Sequence, residues 1–569
     1  MNLNFSGLEV SYPTHRFPAY GRKGMVATSN AFAAQAGLDM LKKGGNAVDA
    51  ALAAAACLTV CEPTANGIGG DAFAIVAFKG KLYGLNASGP APQAISLEAL
   101  RERGYTEIPR YGFVPVNVPG APAAWVALAK RFGRLSLEEV FAPAVDYAEN
   151  GYPVSPVLSH FWQRSFEIYS KNLKGEEFQT WFSTFAPEGR APRAGEVVRL
   201  PDHARTLSLI AQTQGEAFYR GELAERIDAF SRQHGGFLRA EDLAAFQPEW
   251  VEPVGTKFGP VEVWEIPPNG QGIIALIALG ILEGFDIAPL GHVSKDELHL
   301  VIEALKLAFS DAYAFVADPL VSDVPTESLL SKDYLAIRRN LISPKKAMDW
   351  PEPGDPESAV VAGNSQDPEG IGRRERHKTC GKPSDSDTVY LCTADAGGMM
   401  VSFIQSNYMG FGSGIVIPET GIAMQNRGCG FTLKPGHPNC LEPGKRPYHT
   451  IIPGFITKHN TPLAAFGVMG GDMQPQGHVQ VILGLIDHAL NPQAAIDAPR
   501  VRVLKERRVA VESSLDSDMI RDLSGLGHEV EVVDEPVGFG GGQMIWRDPE
   551  TGVFISGSEP RKDGMAAAW

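Results

Sequence analysis

The spacing of apolar residues along the chain predicts helices packed against strands. Residues 29–63 form an alanine-rich stretch that predicts two helices separated at Gly44-Gly45, with Asn46 as the N-cap of the second helix. From about Gly112 to Ile342 the apolar residues recur mainly at helical spacing. Within this region the strand-like run VEVWEI is followed by the turn PPNGQG and a new apolar helix. Helices that alternate with strands indicate a layered α/β (α+β) architecture rather than a helical bundle.

The pattern changes between Ser343 and Asp387. This segment is rich in proline, glycine, serine and charged residues and has no apolar periodicity, so we expect it to be exposed and flexible. Such a stretch is commonly a linker between domains. Two β-rich runs follow at once, TVYLCTAD and MMVSFIQSN. They predict a hairpin whose first strand begins abruptly at Thr388.

Composition and charge narrow the range of functions. With 569 residues, of which 44% are hydrophobic and 21% charged, the chain has the composition of a folded globular protein with a large core. The net charge of -15 disfavours nucleic acid as a partner. The six cysteines include no CxxC pair, which indicates reduced thiols. Neither a signal-peptide pattern nor an apolar run long enough to span a membrane is evident, so we predict a cytoplasmic protein without a membrane partner.

Two motifs suggest cofactors, but the surrounding sequence disfavours both. Gly67, Gly69 and Ala72 match the GxGxxA dinucleotide fingerprint, which requires a strand before the glycines and a helix after them. Here a helix precedes the glycines and a strand follows. Four potential zinc ligands lack the spacing of known zinc frames: Cys429, His437, Cys440 and His449. We therefore predict no metal and no other cofactor.

Thr388 is suited to act as a nucleophile because an exposed segment ends just before it. If the chain were cut there, Thr388 would carry both a hydroxyl nucleophile and an α-amino base. An α-amino group has a reference pKa of about 7.7 to 8.0, so much of it is neutral near neutral pH. The Thr388 hydroxyl could make the cut itself, by attacking the Asp387 carbonyl to form an ester that then hydrolyses. The alternative interpretation is that Thr388 only favours β-structure.

Motifs spread from about Met25 to the C-terminus match one known family. They are GGNAVDAALA, EPTANGIGGDAF, VNVPGAPAAW, PAVDYAENGYPVS, GEAFYRG, DTVYLCTAD, SNYMGFGSGIV, PGKRPYHT, APRV and GSEPRKDG. On these motifs the chain resembles the γ-glutamyltransferase family of N-terminal nucleophile hydrolases. The resemblance implies a four-layer αββα sandwich and a proenzyme that cuts itself between Asp387 and Thr388. It also implies a large subunit, 1–387, whose residues 343–387 are flexible, and a small subunit, 388–569; a dimer of these heterodimers stays open.

Positions that recognise the γ-glutamyl group in this family differ here. Ser88 and Gly89 replace the family's Arg-Glu pair, whose arginine holds the substrate α-carboxylate. Gly430 stands where an aspartate would bind the substrate ammonium, and Arg427 stands where transpeptidases have a neutral amide. Arg427 is suited to grip a substrate carboxylate with two parallel hydrogen bonds. The alternative role for Arg427 is an internal salt bridge.

The resemblance also suggests residues around the nucleophile. Asn407 is retained, whereas Gln405 stands at the place of the threonine that supports the nucleophile. His449 and Thr450 replace a pair of serines, and His449 either lines the pocket or satisfies a hydrogen bond in the core. Gln425 belongs to the QNRG run and is a further candidate for substrate binding, together with Ser88.

The loop GGDMQPQGH is expected to supply the backbone N–H groups that stabilise the oxyanion. Motif matching favours Gly470 and Gly471 as the donors, whereas an ungapped alignment places the donors nearer Met473 and Gln474. The sequence leaves both assignments open.

Among the branches of the family, the chain is most similar to the oxamate amidohydrolases. The shared features lie at Asn86, Gln425 and Pro443. This similarity implies a self-processing amidohydrolase that cleaves the amide of a small carboxylate-bearing substrate through a Thr388 acyl-enzyme. The alternatives are a glutathione-type γ-glutamyl hydrolase or transpeptidase, a cephalosporin or glutaryl acylase, and, in another class, an inactive binding homologue.

Overall fold

The computed structural model describes residues 16–357 and 388–569, and two seven-stranded sheets lie at its centre. The strands are β1 (Ala19–Gly21), β2 (Gly24–Thr28), β3 (Asp71–Phe78), β4 (Lys81–Ala87), β5 (Tyr152–Pro153), β6 (Val197–Val198), β7 (Glu249–Val251), β8 (Val254–Phe258), β9 (Val261–Glu265), β10 (Val389–Asp395), β11 (Met400–Ser406), β12 (Gly454–Lys458), β13 (Thr461–Met469), β14 (Val501–Lys505), β15 (Arg508–Glu512), β16 (Glu529–Val533), β17 (Gly541–Arg547), β18 (Phe554–Ser558) and β19 (Met565–Ala568).

The helices, in chain order, flank these sheets. They are α1 (Ala31–Lys42), α2 (Ala47–Cys61), α3 (Leu97–Glu102), α4 (Ala121–Phe132), α5 (Leu137–Asn150), α6 (Pro156–Asn172), α7 (Gln179–Phe185), α8 (Pro201–Gln212), α9 (Glu216–Tyr219), α10 (Glu222–Gln233), α11 (Ala240–Ala245), α12 (Gly272–Leu282), α13 (Lys295–Phe315), α14 (Thr326–Leu329), α15 (Lys332–Arg339), α16 (Met473–Ile486), α17 (Pro492–Asp497) and α18 (Ser517–Gly525). Within the described ranges, none of them has both the length and the apolar character of a membrane span.

The two sheets are antiparallel and pack face to face between helical layers. One has the order β1-β18-β17-β13-β12-β9-β8, and the other has the order β19-β2-β10-β11-β3-β4-β7. Helices α12, α13 and α16 share a core with the first sheet, and α1, α2, α4 and α5 share a core with the second. The molecule is therefore an αββα sandwich, as the family resemblance implies. A smaller sheet consists of β14, β15 and β16. It packs in the same core as the helices that cover the first sheet.

Helix α2 forms as its sequence predicts and lies at the centre of one helical layer. The side chain of Asn46 accepts hydrogen bonds from the amides of Val48 and Asp49, and the Asp49 carboxylate bonds back to the Asn46 amide, which completes a capping box. Every residue of α2 is buried. A helix that is apolar on all sides can be stable only between other elements, and its alanines allow α1, α5 and the second sheet to approach closely.

Strand alternation separates the two cores on either side of the second sheet. Tyr390 and Cys392 of β10 and Ile404 of β11 point between the sheets, whereas Leu391 and Phe403 point to the helical layer. The ring of Tyr390 lies against Gly467 of β13, where a Cβ would lie 2.4 Å from a ring carbon. Glycine at this position therefore lets the start of β10 pack against β13 of the other sheet.

Two local predictions, the strand and helix around VEVWEI and the hairpin after Asp387, are confirmed in the described residues. The VEVWEI run forms β9 and is followed by α12, and the two runs after Asp387 form the antiparallel pair β10 and β11. The expectation of an exposed segment from Ser343 onward holds for residues 343–346 and fails where the chain then packs on α13, beginning at the buried Ala347. The Met348 amide donates to Glu303 of α13, and the Pro351 carbonyl accepts from Ser310 of the same helix. Residues 358–387, including Asp387 and Cys380, lie outside the described residues.

Candidate active site

Thr388 lies immediately before β10, and its side chain is fully buried. Because side chains alternate along a strand, Thr388 shares the face of Tyr390, which points between the two sheets. The Thr388 Oγ1 donates a hydrogen bond to the Ser406 Oγ at 3.2 Å. The same Ser406 oxygen accepts a hydrogen bond from the Tyr408 amide at 2.8 Å. Thr388 is thus held by a hydroxyl on the neighbouring strand.

Antiparallel pairing brings further polar residues to the edge of the sheet that holds the candidate nucleophile. Val389 of β10 pairs with Gln405 of β11, and Ser406 of β11 pairs with Asp71 of β3. The next strand, β4, ends at Ala87, so Ser88 continues the same row. Strands lie about 4.8 Å apart. The edge therefore presents Thr388, Ser406 and Asp71 within two strand spacings.

Asp71 is the centre of a fully buried group of charged and polar side chains. Its Oδ2 lies 3.1 Å from the His449 Nε2 and 3.4 Å from the Arg427 Nε. All three side chains have no exposed surface. Charges are removed from water in this way only where they are paired, which makes the cluster a candidate for function as well as for stability.

Arg427 presents a guanidinium that is only partly used by the protein. Its Nη1 donates to the Thr450 Oγ1 at 2.7 Å, and the guanidinium carbon lies 4.2 Å from the centre of the Tyr408 ring. Among the described residues the Nη2 has no hydrogen-bond partner. Burial lowers the pKa of Arg427, while Asp71 opposes that shift. Arg427 therefore forms an internal salt bridge with Asp71 on its Nε side and has an unsatisfied donor at Nη2. Both interpretations, an internal salt bridge and a contact with a substrate carboxylate, are compatible with these surroundings.

Tyr408 holds this arrangement through an unusual backbone conformation. Its φ of 79° lies in the left-handed region, which non-glycine residues rarely adopt. The residue follows β11 directly after Asn407, and its amide bonds to Ser406 while its ring stacks on Arg427. Cation–π contact with a desolvated guanidinium contributes on the order of 1 to 2 kcal/mol. The turn after β11 therefore connects Ser406, which holds Thr388, with the guanidinium of Arg427.

His449 is a neutral imidazole with a defined tautomer. The Nδ1 accepts the Ile451 amide at 3.4 Å, so the proton is on the Nε2, which faces Asp71. Burial, with Arg427 nearby, lowers the pKa of His449 to about 4. The ring packs on Phe73 with 4.7 Å between centroids. His449 thus satisfies hydrogen bonds in the core, beside Asp71 and Arg427.

Three buried amide side chains near this group retain unsatisfied polar atoms among the described residues. The Gln425 Oε1 accepts from the Arg427 amide, and the Gln474 Oε1 accepts from the Ile452 amide at 3.0 Å. The Nε2 atoms of both glutamines and both amide atoms of Asn407 have no partner. Buried polar atoms without partners are costly, so a cluster of them is typical of a site that receives a ligand.

The prediction for Gln405 is wrong. Its Nε2 donates to the Ala55 carbonyl and to the Asn66 Oδ1, and its Oε1 accepts from the Trp125 indole. All these partners belong to the helical layer. Alternation along β11 places residue 405 on the face opposite to residue 406, and the same alternation would have selected Ser406 as the support of Thr388.

The positions that lost their charged side chains are filled by the protein itself. The Ser88 hydroxyl donates to the Asn86 Oδ1 at 2.9 Å and accepts from the Asn269 Nδ2 at 3.1 Å. At Gly430 a Cβ would lie 2.7 Å from the Tyr448 carbonyl oxygen, and the Gly430 carbonyl accepts from Asn439 at 2.7 Å. Neither position offers a charge to a substrate.

The loop after β13 supplies backbone groups from a left-handed turn. Gly470 and Gly471 have φ values of 123° and 57°. Their carbonyls accept from the amides of Met473 and Gln474 at 3.0 and 3.1 Å. Since those two amides are used in the first turn of α16, the assignment of the oxyanion donors to Met473 and Gln474 does not fit this geometry. The amides of Gly470 and Gly471 are the better candidates.

Residues 16–357 and 388–569 contain one group of His, Cys, Asp or Glu side chains close enough to hold a metal ion, and it does not include Thr388 or the residues around it. His299 and Glu303 of α13 and His528 have ligand atoms within 4.8 Å of one another. The Lys306 Nζ lies 2.8 Å from the Glu303 Oε1, and the Met348 amide donates to the other oxygen. A lysine cation therefore occupies the position next to the carboxylate where a metal would bind.

Comparison with known proteins identifies the family. A family model described as gamma-glutamyltranspeptidase matches residues 33–569. The chain belongs to the γ-glutamyltranspeptidase family. It is 35% identical over 556 residues to the glutathione hydrolase-like YwrD proenzyme of Bacillus subtilis, and the match covers 96% of this chain and 98% of that protein. It is 32% identical over 563 residues to the oxamate amidohydrolase proenzyme of Klebsiella pneumoniae, with the same coverage of 96% and 98%.

A solved structure of a relative agrees with this assignment across the whole fold. The chain is 52% identical to the cephalosporin acylase from Bacillus halodurans, with a TM-score of 0.92 and coverage of 100% of this chain and 99% of that one. The chain is therefore a hydrolase of the N-terminal nucleophile type, and its relatives are made as proenzymes. The relatives act on different substrates according to their names, so the substrate of this chain has to be argued from its site.

Proposed function

We propose that this protein cuts itself between Asp387 and Thr388 and then hydrolyses the amide of a small carboxylate-bearing substrate of the oxamate type. The observation that carries the proposal is Arg427, a fully buried guanidinium whose Nη2 has no hydrogen-bond partner among the described residues. It lies beside Asp71. In the pairing of β3 with β11, Asp71 stands opposite Ser406, the serine that supports Thr388. A substrate carboxylate would accept a charge-assisted hydrogen bond from this vacant donor.

Thr388 supplies the chemistry in two stages. In the first, its hydroxyl attacks the carbonyl of the preceding residue, the peptide nitrogen becomes the α-amine of Thr388, and water hydrolyses the resulting ester. In the second, the new α-amine accepts the hydroxyl proton while Thr388 attacks the substrate amide, ammonia or an amine leaves, and water releases the acid from the acyl-enzyme. Ser406, 3.2 Å away, orients the attacking oxygen in both stages.

The oxyanion of each tetrahedral intermediate needs preorganised donors. The amides of Gly470 and Gly471 are proposed for this role, because β13 runs beside β10 across the interface between the sheets and ends at this loop. The Gly471 carbonyl also accepts from the Gln271 Nε2 at 2.9 Å, which fixes the turn. Each such donor typically contributes about 3 to 4 kcal/mol to the transition state.

The substrate carboxylate would be bound by Arg427, assisted by the amides of Gln425 and Gln474. The Arg427 Nη1 already bonds to Thr450, so the Nη2 edge and the neighbouring Nε2 donors are the groups left for a ligand. Charge-assisted hydrogen bonds of this kind contribute about 1.5 to 3 kcal/mol each. Neutral donors alone would bind an amide or an ester equally well, and the guanidinium is what favours the anion.

A second candidate function is that of an acylase for β-lactam side chains. It is favoured by the 52% identity to the structure of the cephalosporin acylase from Bacillus halodurans. A glutathione-type activity is disfavoured by the site, because Ser88 and Gly430 offer no charge for the α-carboxylate and α-ammonium of a γ-glutamyl group.

One activity screen distinguishes these functions. The processed protein is assayed with oxamate, with its neutral analogue oxamide, with a γ-glutamyl anilide and with a glutaryl amide. The proposal predicts the highest kcat/KM for oxamate and at least about tenfold lower kcat/KM for oxamide, since one lost charged contact is worth about 1.4 kcal/mol or more. Preference for the glutaryl amide would favour the acylase. Equal rates on oxamate and oxamide would contradict the role of Arg427.

A further inference from the structure

Asp71 is a negative charge in a site proposed to bind a negative substrate. Its carboxylate is fully buried, lies 3.4 Å from the Arg427 Nε, and stands directly opposite Ser406 in the pairing of β3 with β11. Nothing in the acyl-transfer chemistry requires a carboxylate at this place. A group that competes with the substrate for its binding cation needs an explanation.

The explanation lies in the product of the proposed reaction. When water hydrolyses an amide that already bears a carboxylate, the C–N bond breaks, a C–O bond forms, and the products are ammonium and a dicarboxylate. The substrate carries one negative charge, whereas the acid that leaves carries two. An arginine that binds the substrate would hold this dianion more strongly still, and slow release would limit turnover.

We infer that Asp71 is the positioning residue that weakens the grip of Arg427 on the dicarboxylate product, and this inference rests on the proposed function. Asp71 shares the guanidinium from the Nε side and leaves the Nη2 edge to the ligand. Like charges at short range in a water-excluded site repel strongly, and the repulsion is larger for a dianion than for a monoanion. Asp71 therefore favours substrate over product.

His449 is hydrogen-bonded to Asp71 without adding a positive charge beside it. The His449 Nε2 donates to the Asp71 Oδ2, while the Nδ1 accepts from the Ile451 amide, so the ring is a neutral donor. The Gly89 amide points at the other oxygen, 3.4 Å from the Oδ1. Neither donor carries a charge that would offset the repulsion between Asp71 and a bound dianion. A cationic partner in place of His449 would instead remove the repulsion.

The test compares dicarboxylate inhibition in the wild-type enzyme and in Asp71→Asn, with oxalate, malonate and succinate as probes and a carboxylate-bearing amide as substrate. We expect the inhibition constants to fall at least about tenfold in the variant, with a lower KM and a lower kcat for the acidic amide. The kcat for a neutral amide should change much less, because its product carries one charge. A purely structural role would not lower the inhibition constants and the kcat for the acidic amide while it leaves the kcat for the neutral amide nearly unchanged.

The matched control is Asp311→Asn, which removes the charge from another fully buried carboxylate paired with an arginine, Arg338, at 3.0 Å. It should leave dicarboxylate inhibition unchanged.

Asp71→Ser is a second variant that keeps an acceptor for His449 without the charge. Unchanged or weaker dicarboxylate inhibition in a processed Asp71 variant overturns the inference, and so does failure of both variants to process. If Arg427→Ala leaves kcat/KM on acidic amides unchanged, the proposed function itself is wrong, and that result is separate from the behaviour of Asp71.

Discussion

The hydroxyl of Thr388 donates to the hydroxyl of Ser406 across two neighbouring strands, at 3.2 Å. The pair joins the residue at the predicted cleavage point to the row of strand ends that also holds Asp71. Because Ser406 in turn accepts the Tyr408 amide, its oxygen is fixed by the backbone and can hold the Thr388 hydroxyl in one rotamer.

Thr388→Ala should abolish self-cleavage. The attacking oxygen is absent in this variant, so no ester can form at the Asp387 carbonyl. Intact-mass analysis should find the variant as one chain and the wild-type protein as two fragments, residues 1–387 and 388–569. Wild-type protein that remains one chain after long incubation would exclude the proposed processing.

Ser406→Ala should slow both self-cleavage and substrate turnover. Loss of an orienting hydrogen bond to a nucleophile is expected to cost about 1 to 2 kcal/mol, or roughly five- to thirtyfold in rate. Ser406→Thr, which keeps the hydroxyl, should recover most of the loss. Ser402→Ala is the matched control, since Ser402 is buried on the same strand and face but bonds to Tyr390. Equal slowing in both alanine variants would mean that Ser406 acts only through the stability of the strand.

Transfer of a γ-glutamyl group should be weak. Ser88 and Gly430 provide neither of the two charged contacts that would hold a glutamyl α-carboxylate and α-ammonium, and two such losses together amount to a hundredfold or more in affinity. The measurement is the rate of transfer from a γ-glutamyl anilide to glycylglycine, relative to hydrolysis of a carboxylate-bearing amide. Efficient transfer would refute the interpretation of the site.

His449 should make the protein less stable in mild acid. Its pKa in the folded protein is about 4, below the ordinary value of 6.5, so the unfolded chain binds the proton more readily. The stability that depends on the neutral ring is complete above pH 6.5 and is lost as the pH falls toward 4, by on the order of 3 kcal/mol. His449→Gln should show a smaller fall in Tm between pH 7 and pH 4.5 than the wild type. His459→Gln, at an exposed histidine, should show the wild-type fall.

Much of the fold could be predicted from the sequence because the pattern and the packing agree. The capped, alanine-rich α2 and the hairpin after Asp387 follow from local signals, namely Asn46 and the alternation of β10. The layer arrangement came from the family resemblance. The packing that begins at Ala347 cannot be predicted from the sequence, because the contacts with α13 are made by backbone groups, such as the Met348 amide, which leave no apolar pattern.

The site was predicted less completely than the fold. Arg427 and His449 could be found from motifs, but Asp71, the partner that they share, could not. Asp71 lies in a glycine-rich motif and becomes a partner of both only through long-range pairing of β3 with β11. Gln405 was chosen in place of Ser406 because counting along a motif ignores the face on which each strand residue points. The choice between the two candidate pairs of oxyanion donors depends on the first turn of α16, which a sequence alignment does not show.

The most direct test of the account is the selectivity of Arg427→Ala for an acidic over a neutral amide. The processed variant and the wild type are assayed with oxamate and oxamide, and Arg338→Gln, at another buried arginine paired with an acid, serves as the control. We predict full self-cleavage of Arg427→Ala, a loss of at least about thirtyfold in kcat/KM on the acidic amide, and little change on the neutral one. Arg427→Lys should recover only part of the loss, because an ammonium lacks the planar fork. Wild-type kcat/KM of Arg427→Ala on the acidic amide would contradict the account.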